Sequence, residues 1–101
     1  MHALLTTMDL GAGTLALQEK LGQHFSSILQ GLDGFKSLTM FRDPATGHCG
    51  GLSLWESRDK AQAALSVTGA TLRDALAGVV KRPPVREVYE VWGTFDSSED
   101  P

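Results

Sequence analysis

Residues 41–57 constrain the fold more than any other stretch, because turn signals lie on both sides of one short apolar segment. Pro44 and Gly47 predict a tight turn, since proline fixes φ for a turn position and glycine accepts a positive φ. Residues 51–55 then alternate in the way that is typical of a half-buried strand. Ser57 is placed to accept hydrogen bonds from the free N–H groups of a following helix. The predicted order here is strand, turn, strand, helix.

Three further segments have the composition of strands. Residues 3–8 combine apolar and β-branched side chains, and residues 35–42 and 85–92 carry apolar side chains on both faces. A strand that is apolar on both faces needs cover on both. The glycine pair at 50–51 predicts a β-bulge, and such a bulge would change the face on which Trp55 lies.

Two helices are predicted between the strands. The first begins after Thr14, carries apolar residues every three or four positions, and is expected to end at Gly31 in the left-handed conformation. The second begins near Arg58, and Gly69 is expected to interrupt it. A further helical piece is expected to extend to Lys81-Arg82, because the prolines at 83–84 forbid further helix.

The element order βαββαβ predicts an α+β, ferredoxin-like fold, in which a four-stranded antiparallel sheet carries both helices on one face. We expect residues 1–93 to form a single domain and the acidic residues 94–101 to be a disordered tail. Because the helices cover one face only, a second copy is the simplest cover for the other. The prediction is a two-fold homodimer with its sheets face to face.

Composition argues against several classes of protein and site. The formal net charge of the 101 residues is −3 and the basic residues are scattered, so nucleic acid is not an expected partner. The single cysteine cannot form an internal disulfide, and the N-terminus lacks a basic segment followed by a long apolar one, so we expect a reduced, cytoplasmic protein. No run approaches the roughly 18 apolar residues of a membrane span. The three histidines are not accompanied by carboxylates, and the glycines match no phosphate-binding pattern, so neither a metal nor a cofactor is expected.

Three side chains are candidates for contact with a ligand. His24 lies on the apolar stripe of the first helix, where it is either a proton acceptor at the edge of a pocket or a boundary residue bonded to backbone or water. Trp55 either lines the pocket or packs in the core or at the dimer interface. Tyr89 is a pocket candidate because its hydroxyl needs a hydrogen bond when buried. For Arg42 and Arg86, ion pairs with glutamates across strands are expected in preference to anion binding.

Three short segments of the sequence resemble those of a known family. They are Gly34-Phe35, Arg42-Asp43-Pro44-x-Thr46-Gly47, and Leu54-Trp55-Glu56-Ser57 followed by Asp59-Lys60-Ala61. Together they resemble the antibiotic-biosynthesis-monooxygenase-like family of the dimeric α+β barrel superfamily, over residues 2–93. The resemblance implies a ferredoxin-like dimer. It also implies one of several chemistries: cofactor-independent oxidation of aromatic polyketides, haem binding and degradation, or small-molecule isomerisation and signal turnover.

The resemblance is incomplete at the positions that carry chemistry. Members that oxygenate polyketides or break haem are similar in using an asparagine with a tryptophan in the cavity, and this chain contains no asparagine. The positions of the cavity tryptophan and the iron-ligating histidine of the haem-degrading branch fall at Ala64 and Asp74. Haem degradation is therefore not expected.

Three functions stay open. The first is a dimeric protein that binds a small hydrophobic or aromatic metabolite between helices and sheet. The second is a cofactor-independent monooxygenase acting on an aromatic or polyketide-like substrate, which His24, Trp55 or Tyr89 would position. The third is a non-catalytic dimeric interaction module, which a close-packed interior would favour.

Overall fold

The computed structural model describes residues 1–80 and 82–97, and these residues form the predicted order of elements. The elements are β1 (His2–Asp9), α1 (Leu15–Gln30), β2 (Phe35–Arg42), β3 (His48–Trp55), α2 (Arg58–Leu76) and β4 (Val85–Glu90). Within the described residues the strands form one antiparallel sheet in the order β2-β3-β1-β4. The α+β, ferredoxin-like βαββαβ fold is confirmed.

Both helices pack against the same face of the sheet. Leu4 of β1 and Trp55 of β3 are buried in one apolar cluster with Leu29 of α1 and Ala61 of α2. Apolar side chains at helical spacing on α1 and α2 meet alternate residues of the strands, which is how each element buries one of its faces. The helices therefore form one layer and the sheet the other.

The β2–β3 hairpin has the turn chemistry that its sequence predicts. The Asp43 carboxylate accepts a hydrogen bond from the Ala45 N–H at 2.9 Å, and the Gly47 N–H donates to the Asp43 carbonyl at 2.9 Å. Gly47 has a φ of +81°, a value that side chains other than glycine rarely adopt. Ser57 accepts a hydrogen bond from the Lys60 N–H at 3.3 Å and so caps α2 as expected.

The predicted β-bulge at residues 50–51 is wrong. β3 pairs residue for residue with β1 through both glycines, and the irregularity lies instead in β2, between Phe35 and Ser37. As a consequence Phe35 faces the helices, where its ring lies 5.5 Å from that of Trp55, whereas Ser37 pairs with Leu54 on the other face.

The helix ends also differ from the prediction in part. Gly31 caps α1 with a φ of −85°, so the expected left-handed cap is wrong. α2 continues through Gly69 and ends at Leu76, before the positive φ of Gly78. The expected interruption at Gly69 and the expected helix beyond Leu76 are therefore both wrong. Residue 81, at the predicted end of the helical segment, lies outside the described residues. Among those described, no helix is both long and apolar enough to cross a membrane.

The face of the sheet opposite the helices exposes large apolar side chains. Phe41, Leu52, Val85 and Tyr89 lie on this helix-free face and are between 37% and 56% exposed. Leu5 of β1 pairs with Leu52 and is half-buried at the centre of the face. A contiguous apolar surface of this kind is typical of an interaction site.

The segment that follows β4 has no regular secondary structure in residues 91–97. The Trp92 and Phe95 rings contact each other at 5.9 Å, and both side chains are more than 80% exposed. The predicted tail spans residues 94–101, of which 98–101 lie outside the described part.

Candidate functional site

A cavity of about 430 Å³ lies between the helices and the sheet. Most of the side chains around it are apolar; they include Leu4, Met8, Leu21, Phe25, Leu29 and Leu38. Small-molecule sites typically have volumes of roughly 300–1,000 Å³ and mostly apolar walls with a few polar groups. The cavity has the size and character of such a site.

Two glycines shape this space. Arg86, Thr6, Gly51 and Met40 are neighbours in one row across the sheet, on the face that the helices cover. Gly51 has no side chain to fill the middle of that row, and the atom nearest to a Cβ there would be Leu38 Cδ1, at 3.3 Å. Gly22 allows α1 to approach closely, since a Cβ on it would lie only 3.0 Å from Met40 Sδ. The row is therefore lowest at its centre, and α1 packs on its Met40 end.

Arg86 is the principal charged group in the wall of the cavity. Its Nε donates to Thr6 Oγ1 at 3.1 Å, Nη1 to the Leu65 carbonyl at 3.2 Å, and Nη2 to Thr68 Oγ1 at 2.7 Å. These partners are uncharged, and no carboxylate among the described residues forms an ion pair with Arg86. The expected cross-strand ion pair of Arg86 is therefore wrong.

The guanidinium is equipped to bind an anionic oxygen. Burial lowers the pKa of Arg86, because loss of water disfavours the cation, but arginine stays protonated in proteins. Three of its five N–H donors have partners among the described residues, which leaves one donor on each terminal nitrogen. Hydrogen bonds from a guanidinium to a carboxylate or a phenolate are charge-assisted, and a half-buried cation without an ion pair among the described residues attracts such an anion.

Gln18 is a second polar group of the cavity, and sequence reasoning missed it. Its side chain is 9% exposed, and its Nε2 donates to Thr14 Oγ1 at 3.1 Å. Its Oε1 is buried without a hydrogen-bond partner among the described residues, which costs roughly 1–3 kcal/mol. Gln18, Gly22 and Phe25 follow the spacing of one helix face, a signal that could have identified a polar residue facing inward.

Trp55, predicted as a pocket candidate or a core residue, lies in the core. It is 0% exposed, does not line the cavity, and donates from Nε1 to Ser53 Oγ at 2.8 Å. Ser53, which does line the cavity, donates in turn to the Leu4 carbonyl at 3.3 Å. Trp55 therefore supports the cavity through the orientation of Ser53.

The other two candidates lie away from the cavity. His24 is exposed on α1 and does not line the cavity; its ring is edge-on to that of Phe25, with 5.5 Å between the ring centroids. Of the two positions expected for His24, this is the one at the boundary and not the one at the edge of a pocket. Tyr89 lies on the helix-free face, where its hydroxyl donates to Glu87 and this hydrogen bond raises the pKa of Tyr89. The structure thus brings Arg86, Gln18 and Ser53 to the cavity and leaves the predicted trio dispersed.

The outer side of the cavity carries an ion pair and the chain's cysteine. Arg42 of β2 pairs with Glu19 of α1 at 3.3 Å, with both side chains partly exposed, instead of pairing across strands. Cys49 is half-buried in the wall, and burial, followed by the charge of Asp9, raises the pKa of its thiol. No group of three histidine, cysteine or carboxylate side chains in residues 1–80 and 82–97 is arranged to hold a metal ion.

Solved structures provide the comparison for this fold. The chain is similar to a proposed antibiotic biosynthesis monooxygenase from Deinococcus radiodurans, with 20% identity, a TM-score of 0.79, and coverage of 98% of this chain and 100% of that one. It is also similar to a monooxygenase from Streptomyces coelicolor in complex with nanaomycin D, with 19% identity, a TM-score of 0.76, and coverage of 96% and 92%. A third similar structure is SnoaB, a cofactor-independent oxygenase from Streptomyces nogalater, with 16% identity, a TM-score of 0.71, and coverage of 95% and 96%.

No protein-family model matches the sequence, and no curated protein matches it. The likeness to the solved structures is one of fold. At that level the resemblance to antibiotic-biosynthesis-monooxygenase-like proteins, predicted from the sequence, is confirmed.

Proposed function

We propose that the protein binds a small hydrophobic or aromatic metabolite in the cavity between the helices and the sheet, with an acidic oxygen of that metabolite on Arg86. The observation that carries this proposal is a half-buried guanidinium without a carboxylate partner among the described residues, in the wall of an apolar cavity. A cation in such surroundings is costly unless an anion joins it, and a ligand can supply that anion.

The apolar walls and Arg86 would act on different parts of one molecule. Leucine, methionine and phenylalanine side chains exclude water from a ring, and burial contributes roughly 25 cal/mol per Å² of apolar surface. The guanidinium would then orient the ring through its oxygen, because charge-assisted hydrogen bonds are stronger and more directional than neutral ones. The proposed ligand class is therefore an aromatic acid or an acidic phenol.

Fluorescence titration with 8-anilinonaphthalene-1-sulfonate, an aromatic anion, tests whether the cavity binds such molecules. Gly51→Met would fill the centre of the floor and is expected to weaken binding about tenfold or more, since it removes the space a ring needs. Leu52→Met is the matched control, because position 52 lies on the opposite face of the same strand. Equal binding by the wild type and Gly51→Met would contradict a ligand in this cavity.

The second candidate function is that of a cofactor-independent monooxygenase, and two observations favour it. Similar structures include a monooxygenase and a cofactor-independent oxygenase, and Arg86 could stabilise a phenolate. Such an anion is electron-rich enough to add dioxygen at a ring carbon, and the resulting hydroperoxide would lose water to leave a carbonyl. One oxygen molecule would be consumed for each substrate, and one of its atoms would leave as water.

Oxygen uptake with an anthrone as substrate, without added flavin or metal, separates the two functions. Binding without uptake supports the first, and stoichiometric uptake supports the second. Arg86→Met is expected to abolish uptake, whereas His24→Ala is expected to leave it unchanged because His24 is exposed outside the cavity. Loss of uptake in His24→Ala alone would restore the role that the sequence predicted for that histidine.

The third function, an interaction module without a ligand, predicts a close-packed interior. A cavity of about 430 Å³ disfavours it.

We further propose that the protein is a two-fold homodimer through the helix-free face. The exposed apolar side chains of that face support this, because a two-fold contact needs one patch that is complementary to itself. Sedimentation equilibrium is expected to give a dimer for the wild type and a monomer for Leu52→Glu. Val67→Glu, at an exposed apolar position on α2, is the matched control and is expected to stay dimeric. A monomeric wild type at micromolar concentration would contradict the proposal.

We also propose that the protein works in the cytoplasm, without a bound cofactor and without nucleic acid as a partner. Its only cysteine, Cys49, is free and half-buried, which agrees with a reducing compartment. Its formal net charge of −3 disfavours contact with phosphate backbones.

A further inference from the structure

We infer that a ligand enters and leaves the cavity between α1 and β2, through an opening that the ion pair of Glu19 and Arg42 holds closed. This inference rests on the proposed function, because it concerns access to the same cavity. It assigns to the ion pair a role in the rates of binding and release, and not in the affinity for the bound ligand.

The exposure of the residues around the cavity identifies its open side. The wall residues from β1, β3, α2 and β4 are all buried or half-buried. Among the described residues of the wall, the exposed ones all belong to α1 or β2; they are Glu19, Gln23, Met40, Phe41 and Arg42. Because β2 is an edge strand of the sheet, solvent reaches the cavity along the gap between α1 and this edge.

Two contacts between α1 and β2 cross this gap. Arg42 Nη1 donates to Glu19 Oε1 at 3.3 Å, and the two side chains are 39% and 62% exposed. Met40 reaches α1 at Gly22, where a Cβ would lie 3.0 Å from Met40 Sδ. Residues two apart on a strand share a face, and residues three apart on a helix are neighbours. The ion pair and the thioether contact therefore lie side by side across one opening.

Both contacts can open without disruption of the fold. An exposed ion pair contributes little, because water solvates both charges, and an unbranched methionine side chain changes its shape easily. Rotation of these exposed side chains takes picoseconds to nanoseconds and breaks no backbone hydrogen bond of the sheet. Passage through the sheet itself would instead require separation of paired strands. The gap beside β2 is therefore the favoured route.

The position of the ion pair also determines which quantity it controls. It joins two elements of the protein at the exposed side of the cavity, whereas the proposed ligand anion binds at Arg86 on β4, the other edge of the sheet. A pair that closes over the empty and the occupied cavity alike slows entry and release by the same factor. The affinity, which is the ratio of the two rate constants, then stays unchanged.

Stopped-flow fluorescence with 2-naphthoate, a fluorescent aromatic acid, tests the inference. Glu19→Gln and Arg42→Gln each remove the ion pair and are each expected to raise the rate constant of release about two- to fivefold, with a change in Kd below about threefold. The double variant Glu19→Arg with Arg42→Glu restores the pair with its charges exchanged. It is expected to return the rate constant of release to within about twofold of the wild-type value.

Asp33→Asn is the matched control. It removes a surface ion pair with Lys60, and neither residue of that pair lines the cavity. It is expected to leave the rates of binding and release unchanged. All substituted positions except Lys60, which stays as it is, are exposed in the wild type, so the variants are expected to fold.

The outcomes separate the inference from the proposed function. Release that is as slow in Glu19→Gln and Arg42→Gln as in the wild type overturns the inference and leaves the binding function intact. Faster release that the charge-exchanged double variant does not reverse overturns it as well, since the individual charges and not their pairing would then control access. Absence of 2-naphthoate binding to the wild type overturns the proposed function, and the inference with it.

Discussion

Replacement of Arg86 by methionine is expected to weaken ligand binding strongly while it leaves the stability of the empty protein nearly unchanged. Among the described residues, the guanidinium donates to three uncharged acceptors: Thr6 Oγ1, the Leu65 carbonyl and Thr68 Oγ1. Thr68 keeps its own hydrogen bond, because its hydroxyl donates to the Ala64 carbonyl at 2.7 Å. No buried donor in this group is left without an acceptor by the substitution.

The size of each expected change follows from the interactions that Arg86→Met removes in the ligand-free and the ligand-bound protein. Without ligand, the lost hydrogen bonds are offset by the removal of a half-buried charge, so the free energy of unfolding is expected to change by no more than about 1 kcal/mol. With an aromatic acid bound, the substitution removes hydrogen bonds between two charged groups, worth roughly 1.5–3 kcal/mol. This corresponds to a loss of affinity of about 10- to 150-fold.

Urea unfolding at one fixed protomer concentration measures the change in the free energy of unfolding, since the proposed dimer would make apparent stability depend on concentration. Titration with 2-naphthoate measures the change in ligand affinity. Arg42→Met is the matched control, because Arg42 lies beside the same cavity but is partly exposed and paired with Glu19 at 3.3 Å. It is expected to change affinity by less than about threefold, as surface ion pairs contribute roughly 0–1 kcal/mol.

Two results would refute this reasoning. A loss of more than about 3 kcal/mol of unfolding free energy in Arg86→Met would mean that the guanidinium mainly holds the sheet to α2. Unchanged affinity for 2-naphthoate would mean that the ligand does not contact Arg86.

Trp55→Phe is expected to lower the free energy of unfolding in urea by about 1–2 kcal/mol, because it removes the hydrogen bond to Ser53 and part of a fully buried ring. Its effect on 2-naphthoate affinity should stay below about threefold, and a tenfold loss would instead assign Trp55 to ligand contact. Alkylation of Cys49 by iodoacetamide is expected to be slow at pH 8 and to keep rising with pH, because burial and Asp9 raise the pKa of the thiol and only the thiolate reacts. 2-Naphthoate should protect Cys49, which lies in the cavity wall, and a rate that levels off near pH 8 would contradict the raised pKa.

The sequence by itself determined the elements that depend on neighbouring residues. The turn at Asp43 and Gly47 and the N-cap at Ser57 were predictable, because their hydrogen bonds join residues two to four positions apart. The order of strands and helices followed from hydrophobic spacing, which is also a local property. From these the βαββαβ fold, with both helices on one face of the sheet, was predictable before the structure.

The candidate site was decided by tertiary structure. Arg86 bonds to Thr6 across 80 positions of sequence and to Thr68 across 18. Its position in the cavity wall, in place of the expected cross-strand ion pair, therefore depends on how β1, α2 and β4 pack. The face occupied by Phe35 depends on a bulge in β2 that is defined only by pairing with β3. Gln18 stands on a helix face that the sequence marked as apolar, and its free oxygen appears only once the bond to Thr14 is known. Local hydrogen bonds can be inferred from order along the chain, whereas a cavity is formed by side chains that the sequence keeps far apart.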